Sequence, residues 1–219
     1  MRAPVLVGVM AHPIARFTQF YECLHALELP DGAIGCTQIG ASIPHNCNEL
    51  VRTALENDVE ALFMIGDDHT FAPHLVRNLL AHEVDIVAPL CLQHAAPFLP
   101  TAFLEEREYL PMPSLLRTGL IKVHSCGAAG MLIRREVLET LDDPWFEGAQ
   151  EDIYFCEKAT EAGFDIHLDL ANPLGHLTTV AVVPSHTKNG WTFGFEFLDG
   201  FQLQMPVGTW KEEKKPVLA

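Results

Sequence analysis

The chain has 219 residues, 48% hydrophobic and 20% charged, which suits one compact domain with a full core, or one domain plus a short appendage. Its net charge of −15, from 29 acids and 14 bases, argues against a broad phosphate-backbone footprint, though a local basic patch stays open. No apolar run approaches the roughly 20 residues that span a bilayer, and the six cysteines form no CxxC pair, which fits reduced thiols in a cytoplasm better than a disulfide framework or a zinc knuckle.

Strand and helix patterns alternate through the first half. Val5–Met10 reads as a buried strand rather than a signal peptide, because the apolar run is short and leads into an amphipathic helix. That helix covers Phe17–Leu27, with Phe17, Phe20, Tyr21, Leu24 and Leu27 at helical spacing. Ala33–Ile39 is a second strand. Asn46 or Asn48 is placed to cap a helix running to about Asn57, with Leu50, Val51 and Leu55 on its buried face. Ala61–Ile65 is a third strand, and Pro73 precedes a helix through HLVRNLLAH. Asp85–Leu90 is a fourth strand. This alternation predicts an α/β fold, a Rossmann-type mixed but mainly parallel sheet flanked by helices.

The pattern then changes. Residues 91–118 carry Pro97, Pro100, Pro111 and Pro113 without a sustained period and read as a long loop. Gly119–His124 and Met131–Ile133 are strands, the second entered through Gly127-Ala128-Ala129-Gly130. Arg135–Leu141 is a short helix, Pro144-Trp145-Phe146 an aromatic loop, and Ile153–Ala162 a helix started by Glu151-Asp152. Phe164–Leu170 and Thr178–Val183 are further strands. These elements place one α/β domain at 1–185 and an aromatic arm at 186–219. The arm carries Trp191, Phe193, Phe195, Phe197 and Trp210, suited to packing on the body or on a second copy in a homodimer, with an acceptor-stacking or lid surface as the functional alternative. Arg107, Arg117, Lys122, Arg134, Arg135, Lys211, Lys214 and Lys215 read as solvated surface.

Four clusters can carry chemistry. Asp67-Asp68-His69 follows the third strand, at the sheet edge where open α/β folds bind ligands. Two carboxylates and an imidazole there suit a divalent cation and, through it, a phosphate; a solvated turn is the structural alternative. Glu151-Asp152 follows the aromatic loop. Acids are favoured by the dipole of a helix start, and they are equally placed for general-base work. His176 follows Gly175, which permits close backbone approach. Gly127 to Gly130 permits close approach of a ligand or a tight strand-to-strand turn.

In order, these features resemble the GT-A fold nucleotide-sugar glycosyltransferases, in particular small bacterial and phage members of the family-2-like group, from about Val5 to about Val183. The resemblance rests on the strand leading into Gly66-Asp67-Asp68-His69, Gly-Ala-Ala-Gly before MLIRREVLETL, then PWFE, Glu151-Asp152 and Gly175-His176. It implies sugar transfer from a nucleoside-diphosphate sugar, a UDP-sugar by preference, to an acceptor hydroxyl with inversion, assisted by Mn²⁺ or Mg²⁺. It implies metal binding by Asp68, His176 and His69. Asp152 would be the base and Glu151 its support. Donor contacts would come from Ala11, His12, Asn48, Arg52, Asp67, Gly127 and Ala128. One departure stands out: the first acid of the DxD pattern falls at Gly66. A protein, a glycan or a hydroxymethylated DNA base would be the acceptor, the acidic charge tilting slightly away from DNA. A nucleotide-sugar or glycan-binding module and a sugar nucleotidyltransferase are the competing readings.

Overall fold

The structure is a computed structural model that describes residues 2–14, 17–40, 42–106, 108–111, 119–188, 190–197 and 200–206. In chain order the elements are β1 (Leu6–Met10), α1 (Thr18–His25), β2 (Ile34–Gln38), α2 (Ile43–Glu56), β3 (Ala61–Gly66), β4 (His69–Thr70), α3 (Leu75–Leu80) and β5 (Ile86–Pro89). They continue with β6 (Ala102–Glu105), β7 (Glu108–Tyr109), β8 (Leu120–Val123), β9 (Ser125–Cys126), β10 (Met131–Arg134), α4 (Arg135–Thr140), α5 (Glu151–Glu161), β11 (Ile166–Asp169) and β12 (Gly175–His176). Last come β13 (Val180–Thr187), β14 (Gly190–Phe197) and β15 (Gln202–Pro206). Two compact units result: Met1–His94 with Phe98–Leu177, and Ala95–Pro97 with the segment from Thr178 onward.

The first unit is built on a seven-stranded sheet in the order β2-β1-β3-β10-β5-β11-β8. β2, β1 and β3 are parallel, as are β5 and β11, while β10 and β8 run against their neighbours. Side chains alternate along the central strands. Leu6, Leu62 and Met64 enter one apolar cluster with Leu50, Val51, Val137 and Phe155 from α2, α4 and α5. Val7, Val9, Phe63 and Ile65 enter the other with Phe20, Leu75 and Leu79 from α1 and α3. A strand buried on both faces has to be apolar throughout, which is why ALFMI shows no alternation in the sequence. The mainly parallel sheet flanked by helices matches the sequence expectation.

Three local expectations need correction. Helix α2 starts earlier than predicted: Ser42 is its N-cap, its hydroxyl accepting from the His45 amide at 3.4 Å, with proline in the first turn. Asn46 and Asn48 are therefore interior and buried. Proline's fixed φ suits a first turn, and this outweighs the capping preference of the later asparagines. The stretch predicted as loop contains β6 and β7, which form a small antiparallel sheet with β9. Strands of four and two residues are too short to carry a readable period. Residues 112–118 lie outside the described residues. Arg135 is not free surface: its side chain, 14% exposed, donates to the carbonyls of Val59 and Leu55 and pairs with Glu139. Arg107, Arg117, Lys211, Lys214, Lys215 and Trp210 lie outside the described residues.

The second unit is a three-stranded antiparallel meander, β13-β14-β15. The aromatic run from Trp191 to Phe197 lies on its middle strand.

In the first unit, Gly130 makes the tight entry into β10. Its φ is +68°, and a Cβ there would lie 2.8 Å from Pro89 Cγ. Left-handed backbone and collision act together, so Gly130→Ala is expected to lower stability by about 1–3 kcal/mol in a urea titration.

Candidate functional site

The chain goes from β1 to β2 on one side, then crosses to β3 on the other side of β1. This reversal leaves a crevice at the carboxyl ends of β1 and β3, the place where open α/β sheets bind ligands. A cavity of about 520 Å³ opens there, within the range of small-molecule sites. Met10, Ala11 and His12 border it from β1, Gly66 to His69 from β3, and Gly40, Ser42 and Asn46 from the start of α2. Gly127, Ala128, Glu151, Asp152, Cys91, His94 and His176 complete its wall.

Asp67 is 2% exposed, and its Oδ2 accepts from the His12 amide at 2.9 Å. It therefore fastens the loop after β1 to the end of β3. Asp68 points elsewhere. Its Oδ1 lies 2.9 Å from His69 Nδ1, and its Oδ2 lies 3.6 Å from His176 Nε2. The two imidazoles stack with centroids 4.5 Å apart, because β12 pairs antiparallel with β4 and sets His176 opposite His69. Gly175 makes this pairing feasible: a Cβ there would sit 2.4 Å from Thr70 Oγ1. The close approach expected of this glycine is thus made to β4. Gly66 has a comparable reason. A Cβ at that position would come within 2.9 Å of Asp68 Oδ1 and 3.4 Å of His69 Nδ1, so the position where the DxD pattern has its first acid must stay small here.

Cys91 joins this group. Its Sγ is 3.9 Å from His176 Nδ1, and ligand atoms of His69, Cys91 and His176 all lie within 4.8 Å of one another. His176 Nδ1 also contacts the Leu92 carbonyl at 2.9 Å. Burial works against ionising Asp68, but hydrogen bonds from His176 and His69 hold its carboxyl far below the usual carboxylate range. Burial likewise opposes protonation of the rings, yet Asp68 and Cys91 raise His69 to about 9 and His176 to about 10. The Cys91 thiol falls to about 7: burial alone would raise it, and the two imidazoles outweigh that.

Two imidazoles, a thiol and a carboxylate are the donor set of a divalent transition-metal site. His69 Nε2 is buried and has no hydrogen-bond partner, so one nitrogen of the cluster is left for such an ion.

Across the cavity, α5 opens with Glu151 and Asp152. Asp152 Oδ1 accepts from the Ile153 amide at 2.8 Å, which fixes the carboxylate at the helix start. Gly127 leaves room beside it, since a Cβ there would be 3.5 Å from Asp152 Oδ2 and 3.2 Å from Thr101 Cβ. Burial raises the Asp152 carboxyl above its ordinary value, against backbone hydrogen bonds from Ile153 and Ala128 that lower it. Glu151 is raised as well, first by burial and also by the charge of Asp152.

The structure thus brings Ala11, His12, Asp67, Asp68, His69, Gly127, Ala128, Glu151, Asp152 and His176 to one cavity. Asn48 and Arg52 stand apart from that wall. Asn48 Oδ1 accepts from the Trp145 and Phe146 amides at 3.0 Å each, and its Nδ2 donates to the Phe146 carbonyl at 2.8 Å. This clamps the aromatic loop, whose Trp145 and Phe146 are buried in the core. Arg52 pairs with Glu49 and, at 2.7 Å, with Asp143. Sequence reasoning passed over Cys91 and Asn46 as site residues. Asn46 lines the cavity with a buried Oδ1 that lacks a partner. A helical period cannot distinguish such a position from a core asparagine.

No family model and no curated protein matches this chain. Solved structures do match its shape, and the mixed, mainly parallel sheet with flanking helices is a GT-A-like fold. A197 from STIV aligns with TM-score 0.59 at 12% identity, over 98% of this chain and 99% of that one. GalNAc-T7, solved with UDP, GalNAc and Mn²⁺, aligns with TM-score 0.54 at 11% identity, over 80% of this chain and 44% of that one. At such identities the likeness is one of fold alone.

The raised Asp152 carboxyl has a measurable consequence for stability. Its folded-state pKa lies above the unfolded value of about 3.9, so the native state binds more protons in between and loses stability as pH rises through that interval. Asp152→Asn is therefore expected to raise the thermal midpoint at pH 7 and to give no gain near pH 3, as followed by calorimetry.

Proposed function

We propose that the protein is a glycosyltransferase that moves a sugar from a nucleoside-diphosphate sugar, a UDP-sugar by preference, to an acceptor hydroxyl with inversion. The observation that carries this reading is one cavity, at the switch point of a GT-A-like sheet, with an Asp68–His69–His176 cluster on one wall and Asp152 on another. GalNAc-T7, of the same fold, was solved with UDP, GalNAc and Mn²⁺, which is the type of ligand such a cavity would take.

In this reading Asp68, His69 and His176 hold a divalent ion. Bound there, the ion would offset the charge that develops on the leaving diphosphate. The open crevice between β1 and the start of α2 receives the nucleoside, with Asn46 and the His12 loop at its border. Asp152, pre-oriented by the Ile153 amide, takes the proton from the acceptor hydroxyl. The freed oxygen attacks the anomeric carbon as the bond from that carbon to the diphosphate oxygen breaks, releasing the nucleoside diphosphate. A carboxyl with a raised pKa is a better proton acceptor than an ordinary one, provided the pH keeps it ionised. Protein, glycan and modified DNA base are the candidate acceptors.

Slow hydrolysis of the donor needs no acceptor, so release of nucleoside diphosphate from a panel of nucleotide sugars, with added metal or with chelator, tests the reading. One donor is expected to be cleaved in a metal-dependent way. Asp68→Ala should reduce that rate by about 10- to 100-fold, the usual cost of disturbing a metal site. Asp152→Asn should cut transfer by about 10²- to 10⁴-fold and leave donor affinity intact. No release from any donor, together with no metal-linked thermal shift, would contradict the proposal and favour a binding module.

A further inference from the structure

We infer that Cys91 is a ligand of the metal site and that its thiolate makes the site select a thiophilic ion such as Zn²⁺ or Co²⁺ over Mg²⁺. The inference rests on the reading that the Asp68 cluster holds a divalent cation; it does not require that sugar transfer be the reaction.

Three observations support it. Cys91 is 2% exposed and lies two residues beyond the end of β5, where its carbonyl accepts from the Thr101 amide at 2.9 Å. Its sulfur and one nitrogen from each of His69 and His176 lie within 4.8 Å of one another. In a tetrahedral zinc site with N and S ligands at about 2.0–2.3 Å, neighbouring ligand atoms are about 3.3–3.8 Å apart. The third observation is His69 Nε2. Asp68 Oδ1 and the Gly66 carbonyl occupy the Nδ1 side at 2.9 and 3.2 Å, while Nε2 is buried without a hydrogen-bond partner. The His69 side chain is 6% exposed, and leaving such a nitrogen unmatched is costly. An ion on Nε2 removes that cost.

The donor types decide the ion. Mg²⁺ demands oxygen ligands in near-octahedral geometry, which a thiolate and two imidazoles do not supply. Zn²⁺ and Co²⁺ accept sulfur and nitrogen, and both stand above Mn²⁺ in intrinsic affinity for such a site. Cys91 adds a thiolate to the Asp68, His69 and His176 donors, and a zinc-type ion in such a site expands to five-coordination when a substrate oxygen enters.

Cobalt spectroscopy on the full chain tests this directly. After chelator treatment and titration with Co²⁺, wild type is expected to bind one ion per chain. A near-ultraviolet thiolate-to-cobalt charge-transfer band should appear with the intense visible bands of four-coordination. Zn²⁺ should abolish the spectrum, and a large excess of Mg²⁺ should leave it. Cys91→Ser should lose the near-ultraviolet band and bind Co²⁺ at least tenfold more weakly, with an unchanged far-ultraviolet circular dichroism spectrum. Absence of Co²⁺ binding, weak octahedral bands alone, ready displacement by Mg²⁺, or survival of the band in Cys91→Ser would each overturn the assignment. Should Cys91→Ser fail to fold, the wild-type spectrum and the Mg²⁺ competition still decide. A thiolate band without donor cleavage would sink the transferase reading and keep this one; donor cleavage with Mg²⁺ and no thiolate band would do the reverse.

Discussion

The Asp68 carboxylate is shared by two imidazoles, one from the next residue in the chain and one from far along it. One oxygen meets His69 on β4 and the other approaches His176 on β12. The pairing of β12 with β4 stacks the rings, Gly175 lets that pairing close, and Gly66 keeps the space beside the carboxylate clear. Asp67 faces the other way and anchors the loop after β1. Two adjacent acids therefore have separate duties, one holding the crevice in shape and the other organising its charged wall.

Two of the cavity's carboxylates, Asp68 and Asp152, have environments that push them apart. Asp68 is kept ionised by the imidazoles beside it, despite its burial. Asp152 is raised by burial, and only backbone amides counter the shift. In the proposed transfer, the carboxylate held ionised would serve the phosphate and the raised one the proton. Burying the second carboxylate at the first turn of α5 works against stability at neutral pH.

Much of this was legible in the chain. The strand-helix alternation marked the parallel core, and a charged turn after ALFMI marked the edge where the cavity opens. The ordered set of acids, small residues and Gly175-His176 brought most of the cavity wall together on paper. Other parts were hidden for physical reasons. Strands β6, β7 and β9 are too short to show a period. Strand β10 gives no sign in its sequence that it runs antiparallel between β3 and β5, since a doubly buried strand is apolar in either direction. Asn48 has the composition of a polar site residue, yet it clamps the loop at Trp145 and Phe146, a long-range partnership that no local pattern reveals. Cys91 reads as the first residue of a long loop, and its place in the cluster depends on β12 returning to β4.

The GT-A-like fold supplies the crevice, and the side chains at its rim give the functional reading its content. Diffraction from crystals soaked with Mn²⁺ and UDP, recorded at the manganese edge, tests the central claim most directly. The account predicts one anomalous peak against the Asp68–His69–His176 cluster, in contact with the diphosphate, with the uridine between the His12 loop and Asn46. A diphosphate bound elsewhere, or a cavity that takes up neither metal nor nucleotide, would contradict it.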